Sequence, residues 1–335
     1  MTARLTIAIP TYNRADLLPR ALESALAQTS NEVEILVSDN GSRDGTPALL
    51  EAYQSDRLRK VRREDTVSRA EHGTLIFAQV RTEFVLVLSD DDYIEPEFAE
   101  EVLKLFDRHP ELSFVYTGCW EHYDDVQLPA RVGPEIESSL RFIAAHSANQ
   151  RQVSWCACVT RVADLRRIGP QPEDRICGDM FFWTKIAFQG PVGCVARPLA
   201  HYVVLRPNGD NESRTTPIVA WAEDTKKLQR EILQNIKPQD WHVIDEYSLR
   251  SNMRGYLVGT LGNQFIWARI SGMSRWDCLK VLPYCFTILG WGAGSTLPVF
   301  AALLLSRNAL RQLVLNNAKK LAKKRGFRQT GEVTV

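Results

Sequence analysis

Phe84-Val85-Leu86-Val87-Leu88-Ser89-Asp90-Asp91-Asp92-Tyr93-Ile94-Glu95-Pro96 is the stretch whose reading decides the fold of this chain. Apolar residues run unbroken from Phe84 to Leu88 into three carboxylates, and Pro96 closes the segment. A short continuous apolar run bounded by a turn signal reads as a strand covered on both faces. In open parallel α/β sheets, ligands bind outside the carboxyl ends of the strands, so the aspartates are carried to the edge where a crevice is expected. Adjacent carboxylates repel, and burying them unpaired is costly. A hard divalent cation, Mg²⁺ or Mn²⁺, shared with substrate phosphates removes that cost. The competing reading is an exposed acidic turn that starts a helix at Glu97.

The same pattern recurs upstream. Residues 5–9 are an apolar run ended by Pro10-Thr11-Tyr12-Asn13-Arg14, with a helical pattern over 16–28. Residues 33–37 form a second run, ending in Ser38-Asp39-Asn40-Gly41-Ser42-Arg43-Asp44-Gly45-Thr46. A strand that ends in an acid and a Gly-bearing turn, with a helix after it, is a βαβ unit. Thr46 is placed to cap a helix from Pro47. A short strand at 58–61 and a helix at 68–80 precede the aspartate strand. Downstream come a helix at 96–108, a strand at 112–117, a helix at 138–148, strand-like residues 153–160 and a helix at 162–168 stopped by Gly169-Pro170. Asp179 opens an apolar helix, and residues 192–195 and 199–205 read as two strands. This alternation predicts an α/β fold with a mostly parallel central sheet flanked by helices.

Bulk properties narrow the class. A chain of 335 residues with a formal net charge of +1 reads as two domains, or one large domain with an extension, of ordinary globular composition, with no charge excess to suggest nucleic acid as a partner. Seven scattered cysteines, with only Cys156 and Cys158 close together, predict reduced thiols rather than structural zinc. No long apolar N-terminal run precedes the first strand, which favours the cytoplasm. The polar segment 207–217 is the best domain boundary. Beyond it come long helices at 218–236 and 240–270. Residues 281–305 carry no charge but are broken by Pro283, Gly290, Gly292, Gly294 and Pro298, and a basic amphipathic stretch follows. Such a stretch beside an apolar segment reads as membrane-surface binding. Breaks in the uncharged run favour an interfacial segment over a single span or a helix in a soluble core.

Taken together, Ile9-Pro10-Thr11-Tyr12-Asn13-Arg14, Ser38 to Thr46 and Leu88-Ser89-Asp90-Asp91-Asp92 resemble, in order and spacing, family 2 glycosyltransferases of GT-A fold and bacterial surface-polysaccharide type. The resemblance covers roughly residues 1–210. It implies a glycosyltransferase domain over 1–212, with a nucleotide-sugar half at about 1–118 and an acceptor half at about 119–212. A C-terminal helical extension over 213–335 would be membrane-associated. The implied activity is inverting transfer of a sugar from a UDP-, GDP- or dTDP-sugar to a lipid-linked saccharide, on the cytoplasmic face of the inner membrane, with Mn²⁺ or Mg²⁺ as cofactor. An oligomer is compatible with this reading.

The resemblance also distributes roles. Pro10, Thr11, Tyr12, Arg14, Asp39, Arg69 and Asp90 fall on the donor side. Tyr12 can stack on a nucleobase, or be a surface aromatic in a turn. Asp39 can accept a base ring N–H, or close its strand as an Asx turn. Asn40 stands where relatives carry a second Asp and receives no role, and His72 departs from the family pattern. Asp91 and Asp92 form the metal site, with Asp91 the direct ligand. Asp179 is the general base or a plain helix cap. Trp183 falls on the acceptor side or in the core, and His201 or Arg206 stands in for a basic residue near the diphosphate. Alternatives are a catalytically silent scaffold of the same fold and a sugar nucleotidyltransferase. A processive synthase is disfavoured by the lack of a Gln-x-x-Arg-Trp motif.

Overall fold

The strand Leu5–Thr11 (β1) is the centre of the molecule's first half. Its Leu5, Ile7 and Ile9 are completely buried, as expected of a strand with sheet on both sides and helices above and below. It pairs in parallel with Val33–Asp39 (β2) on one side, Thr11 standing opposite Asp39. On the other side it pairs in parallel with Phe84–Val87 (β4). Leu58–Arg62 (β3) extends the parallel group beyond β2. The crossovers are Leu18–Leu26 (α1), Thr46–Ala52 (α2) and Arg69–Gln79 (α3). These elements fall within a few residues of the sequence reading. Pro10 lies beyond the last β1–β4 pair, Ala8 with Val87, a strand position that tolerates the missing N–H.

This computed structural model describes residues 2–169, 178–205, 218–289, 299 and 301–324. Arg206, the boundary segment 207–217, the breaks at Gly290, Gly292, Gly294 and Pro298, and the tail from 325 lie outside the described residues.

Past β4 the sheet changes direction. Tyr93–Ile94 (β5), Phe98–Arg108 (α4), Phe114–Tyr123 (β6), Val126–Pro129 (β7), Ile136–Glu137 (β8), Ser139–Ser147 (α5), Cys158–Arg161 (β9), Val162–Ile168 (α6), Gly178–Ala187 (α7) and Val192–Leu205 (β10) follow in chain order. The strand order is β3-β2-β1-β4-β9-β6-β10-β5. β9 is antiparallel to β4 and to β6, and β10 is antiparallel to β5 and β8. The sheet is therefore parallel on the β1 side and antiparallel on the other. The two strands expected at 192–195 and 199–205 are one continuous strand. Of the strand expected at 153–160, residues 158–160 are strand, in β9, and a 3₁₀ turn, Trp155–Ala157, precedes them. Thr46 does not cap α2: its Oγ1 accepts from Arg14 N at 3.0 Å.

The chain divides into two compact units: Met1–Glu121 with Pro129–Ile143 and Gln150–Val203, and His122–Leu128 with Ala144–Asn149 and Val204–Val335. The second unit is helical, with Ile218–Asn235 (α8), Glu246–Ile270 (α9), Arg275–Leu289 (α10) and Arg307–Lys324 (α11). Leu249, Met253, Leu257, Leu261 and Phe265 form a buried stripe along α9 at four-residue spacing. The helix expected from 240 starts later because Asp245 caps α9, its Oδ2 accepting from Ser248 N at 2.7 Å. Two carboxylates of the 122–128 turn, Asp124 and Asp125, pair with Arg311 and Lys319 of α11. Val126 and Leu128 pack against Ala318 and Ala322. Ala318 and Ala322 of α11 are thus used inside this unit, whereas Leu321 stays exposed.

Buried Gln28 ties three elements of the first unit together. Its Nε2 donates to Ser24 O and to Glu95 O, and its Oε1 accepts from Ala99 N at 2.9 Å. Gln28→Leu strands the Ala99 N–H and the Glu95 carbonyl in the core. We expect a loss of about 1–3 kcal/mol, read as a lower urea midpoint at unchanged m-value.

Candidate active site

Two loops leave the carboxyl ends of β1 and β2 and are stitched together by backbone-directed bonds. Asn13 N donates to Ser42 Oγ, Arg43 N to Asn13 Oδ1 and Ala15 N to Asp44 Oδ2. Asn13 takes positive φ (51°) and Gly41 does too (81°). A side chain on Gly41 would also press on the backbone of Asp65 and Thr66, 3.2 Å away. Asn40, given no role by the sequence, clamps the next loop: its Nδ2 donates to Val67 O and its Oδ1 accepts from Val67 N. Buried His72 shares a 2.8 Å hydrogen bond with Ser38 Oγ. Burial, then the nearby Arg63 charge, lower its pKa, which keeps the ring neutral.

At this edge two buried oxygens lack hydrogen-bond partners, Thr11 Oγ1 and Asp39 Oδ2. They belong to residues that face each other in the β1–β2 register. Asp39 is fully buried. Its Oδ1 accepts from the backbone N and the hydroxyl of Ser42, at 2.9 and 2.5 Å, so the Asx turn is real. Its Oδ2 faces only Arg62 Nε, 3.4 Å away. Orphan acceptors in a core cost on the order of 1–3 kcal/mol, and they mark a place prepared for a donor. Tyr12 is 44% exposed beside them in sequence. Pro10 is partly buried, Arg14 is partly buried, and Arg69 is exposed at the start of α3. An open cleft lined by Gly41, Ser42, Arg43, Arg62, Arg63 and Glu64 adjoins the Asp39 turn.

The three aspartates separate. Asp92 is 2% exposed. Its Oδ1 accepts from Val203 N of β10 at 2.9 Å, and the Cys156 thiol also bonds to the carboxyl. Burial, followed by the Asp91 charge, pushes its pKa up to about 8, so it is a neutral acid that anchors the loop. This place differs from the metal-site role given to it by resemblance. Asp90 and Asp91 remain partly exposed. Among the described residues no three His, Cys, Asp or Glu side chains converge on one point. A pair of hard, partly exposed carboxylates is the donor chemistry that suits Mg²⁺ or Mn²⁺.

Arg20 fixes the backbone of this loop. Its Nη2 donates to Asp91 O at 2.8 Å, and its guanidinium lies 4.5 Å from the centre of the Tyr93 ring. Tyr93 stacks on His201, centroids 4.1 Å apart and 6° from parallel. His201 Nε2 bonds to Glu95 Oε1 at 2.8 Å. His201 is therefore a buried support beneath the aspartates. Its pKa is lowered, by burial first.

Asp179, exposed in the first turn of α7, is held by a residue the sequence did not single out: Trp155 donates Nε1–H to Asp179 Oδ1 at 2.7 Å. The neighbouring Cys156 is the thiol that reaches Asp92. One 3₁₀ turn thus joins the carboxylate of α7 to the aspartate loop. Trp183 is 1% exposed and packs among Phe114, Trp155 and Phe182. It is core, and Trp155 takes the partly exposed position beside the acid. The geometry separates the adjacent acids sharply. Asp92→Asn keeps an acceptor for Val203 N–H and stays within about 1 kcal/mol of wild type, whereas Asp92→Ala loses about 1–3 kcal/mol; thermal unfolding of both variants checks this.

Parts of the chain are similar to known proteins. Residues 6–158 match the family model described as Glycosyl transferase family 2. An uncharacterised glycosyltransferase of Nostoc sp. is 24% identical over 304 residues, covering 86% of this chain and 89% of the relative. The succinoglycan biosynthesis protein ExoO of Rhizobium meliloti is 32% identical over 103 residues, 31% of this chain and 30% of its own length. Among solved structures, S. aureus TarS (residues 1–349, in complex with UDP-GlcNAc) superposes with a TM-score of 0.61 at 15% identity, covering 99% of this chain and 94% of that one. The mannosyltransferase PcManGT of Pyrobaculum calidifontis, in complex with GDP-Man and Mn²⁺, superposes with a TM-score of 0.56 at 16% identity, covering 97% and 88%. The chain is a glycosyltransferase whose residues 6–158 form a family 2 glycosyl transferase domain.

Proposed function

We propose that the protein transfers a glycosyl group with inversion from a nucleotide-sugar to a lipid-linked saccharide during polysaccharide assembly at a membrane surface. The observation that carries the donor half is the pair of unsatisfied buried oxygens, Thr11 Oγ1 and Asp39 Oδ2, at paired strand ends one strand away from Asp90 and Asp91. Asp39 Oδ2 accepts a ring N–H of the base, which uracil, thymine and guanine carry, and Tyr12 stacks on the ring. Asp91, with Asp90 beside it, holds the divalent cation. A bound Mn²⁺ or Mg²⁺ would neutralise charge on the departing diphosphate. The solved neighbours carry UDP-GlcNAc, or GDP-Man with Mn²⁺, and the relatives include proteins named for succinoglycan and chondroitin synthesis.

Asp179 is the general base. It takes the proton of the acceptor hydroxyl as that oxygen attacks the anomeric carbon. The bond from that carbon to the diphosphate oxygen breaks, and the nucleoside diphosphate leaves with the electron pair. Trp155 orients the carboxylate, its indole N–H donating to Asp179 Oδ1. Trp155 also offers a ring surface beside the base on which a sugar can stack.

Donor hydrolysis and transfer measured over UDP-, GDP- and dTDP-sugars, with Mn²⁺, Mg²⁺ or EDTA, test this reading. One donor should turn over only with metal. Asp91→Ala should lower that rate by about 100-fold or more. Asp179→Asn should still bind donor while transfer falls by a factor on the order of 10²–10⁴. Turnover unchanged by EDTA and by Asp91→Ala would overturn the metal assignment.

A further inference from the structure

The helical unit presents an apolar patch where it is otherwise charged. Trp276 is 74% exposed, Leu304 73% and Leu279 42%. Trp276 and Leu279 lie three residues apart in the first turns of α10, hence on one face. Leu304 is brought beside them by hydrogen bonds rather than by sequence: Arg275 Nη2 donates to Leu304 O at 3.1 Å. Two more arginines lock the same corner. Arg269 Nε donates to Ala302 O at 3.0 Å, and Arg307 Nη2 to Gly272 O at 2.8 Å.

These bonds hold the C-terminal end of the uncharged run, residues 281–305, at the start of α10, where Leu304 O meets Arg275. Among the described residues no helix is long and apolar enough to cross a membrane. Around the patch stand the exposed Arg275, Lys280 and Arg307. Asp277, the acid of that turn, is paired with Lys280 at 3.1 Å and accepts from Ser274. A tryptophan and leucines ringed by arginine and lysine suit the headgroup boundary of a bilayer. There the rings and aliphatic chains enter the acyl edge and the cations meet anionic lipid.

We propose that the protein docks on an anionic bilayer through Trp276, Leu279 and Leu304, with Arg275, Lys280 and Arg307 at headgroup level. This deepens the membrane association proposed above, on which it rests, and puts its main apolar contact at the start of α10 rather than on α11, whose Ala318 and Ala322 pack against Val126 and Leu128.

The test is flotation of the full chain with phosphatidylcholine vesicles containing 30% or no phosphatidylglycerol, at low salt and at 1 M NaCl, with donor hydrolysis measured on the same samples. Trp276→Ser/Leu304→Ser should lower the vesicle-bound fraction at least tenfold while donor hydrolysis is kept. Lys320→Gln/Lys323→Gln should lower it much less. Brominated phosphatidylcholine in the vesicles should quench wild-type tryptophan fluorescence, and Trp276→Phe should abolish most of that quenching even if the double variant folds poorly. Wild-type vesicle binding that survives both sets of Trp276 substitutions overturns the patch. So does a wild-type dimer that these substitutions split, because a second copy then occupies the face. A protein that turns over donor yet ignores all vesicles overturns the docking surface and leaves the enzymatic reading intact. One that binds vesicles through Trp276 but turns over no donor does the reverse.

Discussion

The parallel pairing of β1 with β2 and β4 is the constraint on which the rest depends. It brings three loops that are far apart in sequence to one edge, and it does so in register, Thr11 opposite Asp39. The helices α1 to α3 cover the faces and bury the apolar runs, so the edge is the one place in this layer where polar groups are left to be used. Gly41 and Asn13 bend the loops back toward each other through positive φ. Without that bend, Asp39 would lose the Ser42 bonds that hold its first oxygen.

Electrostatics divides the labour among neighbouring acids. Asp92 gives up its charge to hold β10, and by doing so lowers the repulsion felt by Asp91. Arg20 adds a cation next to the same loop and donates its hydrogen bond to the Asp91 carbonyl. On the opposite side the Trp155–Cys156 turn spans the two acidic regions.

Much of this was legible in the sequence. The apolar runs at 5–9, 33–37 and 84–88 have the length and bounding residues of buried parallel strands, and each of them ends in the polar residues that form the edge. The antiparallel half was less so, because β9, β6 and β10 pair over long separations that hydrophobic periodicity does not encode. Trp155 could not be found that way. It lies in a short apolar, cysteine-containing run that looks like strand, and only its contact with α7 reveals it. Trp183 misled for the converse reason: one turn after Asp179 it shares the helix but faces the core. The α11 helix shows the amphipathic pattern of a membrane-surface element, yet its Ala318 and Ala322 meet the 122–128 turn, a partner that sequence spacing does not disclose.

The account's central claim is that Thr11 and Asp39 form a receptor for the base of a nucleotide donor. Calorimetric titration of the wild type and Asp39→Asn with UDP, GDP, dTDP, CDP and ADP in the presence of Mn²⁺ addresses it directly. A base that carries a ring N–H should bind tightest, with CDP and ADP weaker by about 10-fold or more because Asp39 Oδ2 is then left unpaired. Asp39→Asn should erase that difference. Equal binding of CDP and UDP to the wild type, or discrimination that survives Asp39→Asn, would contradict the claim.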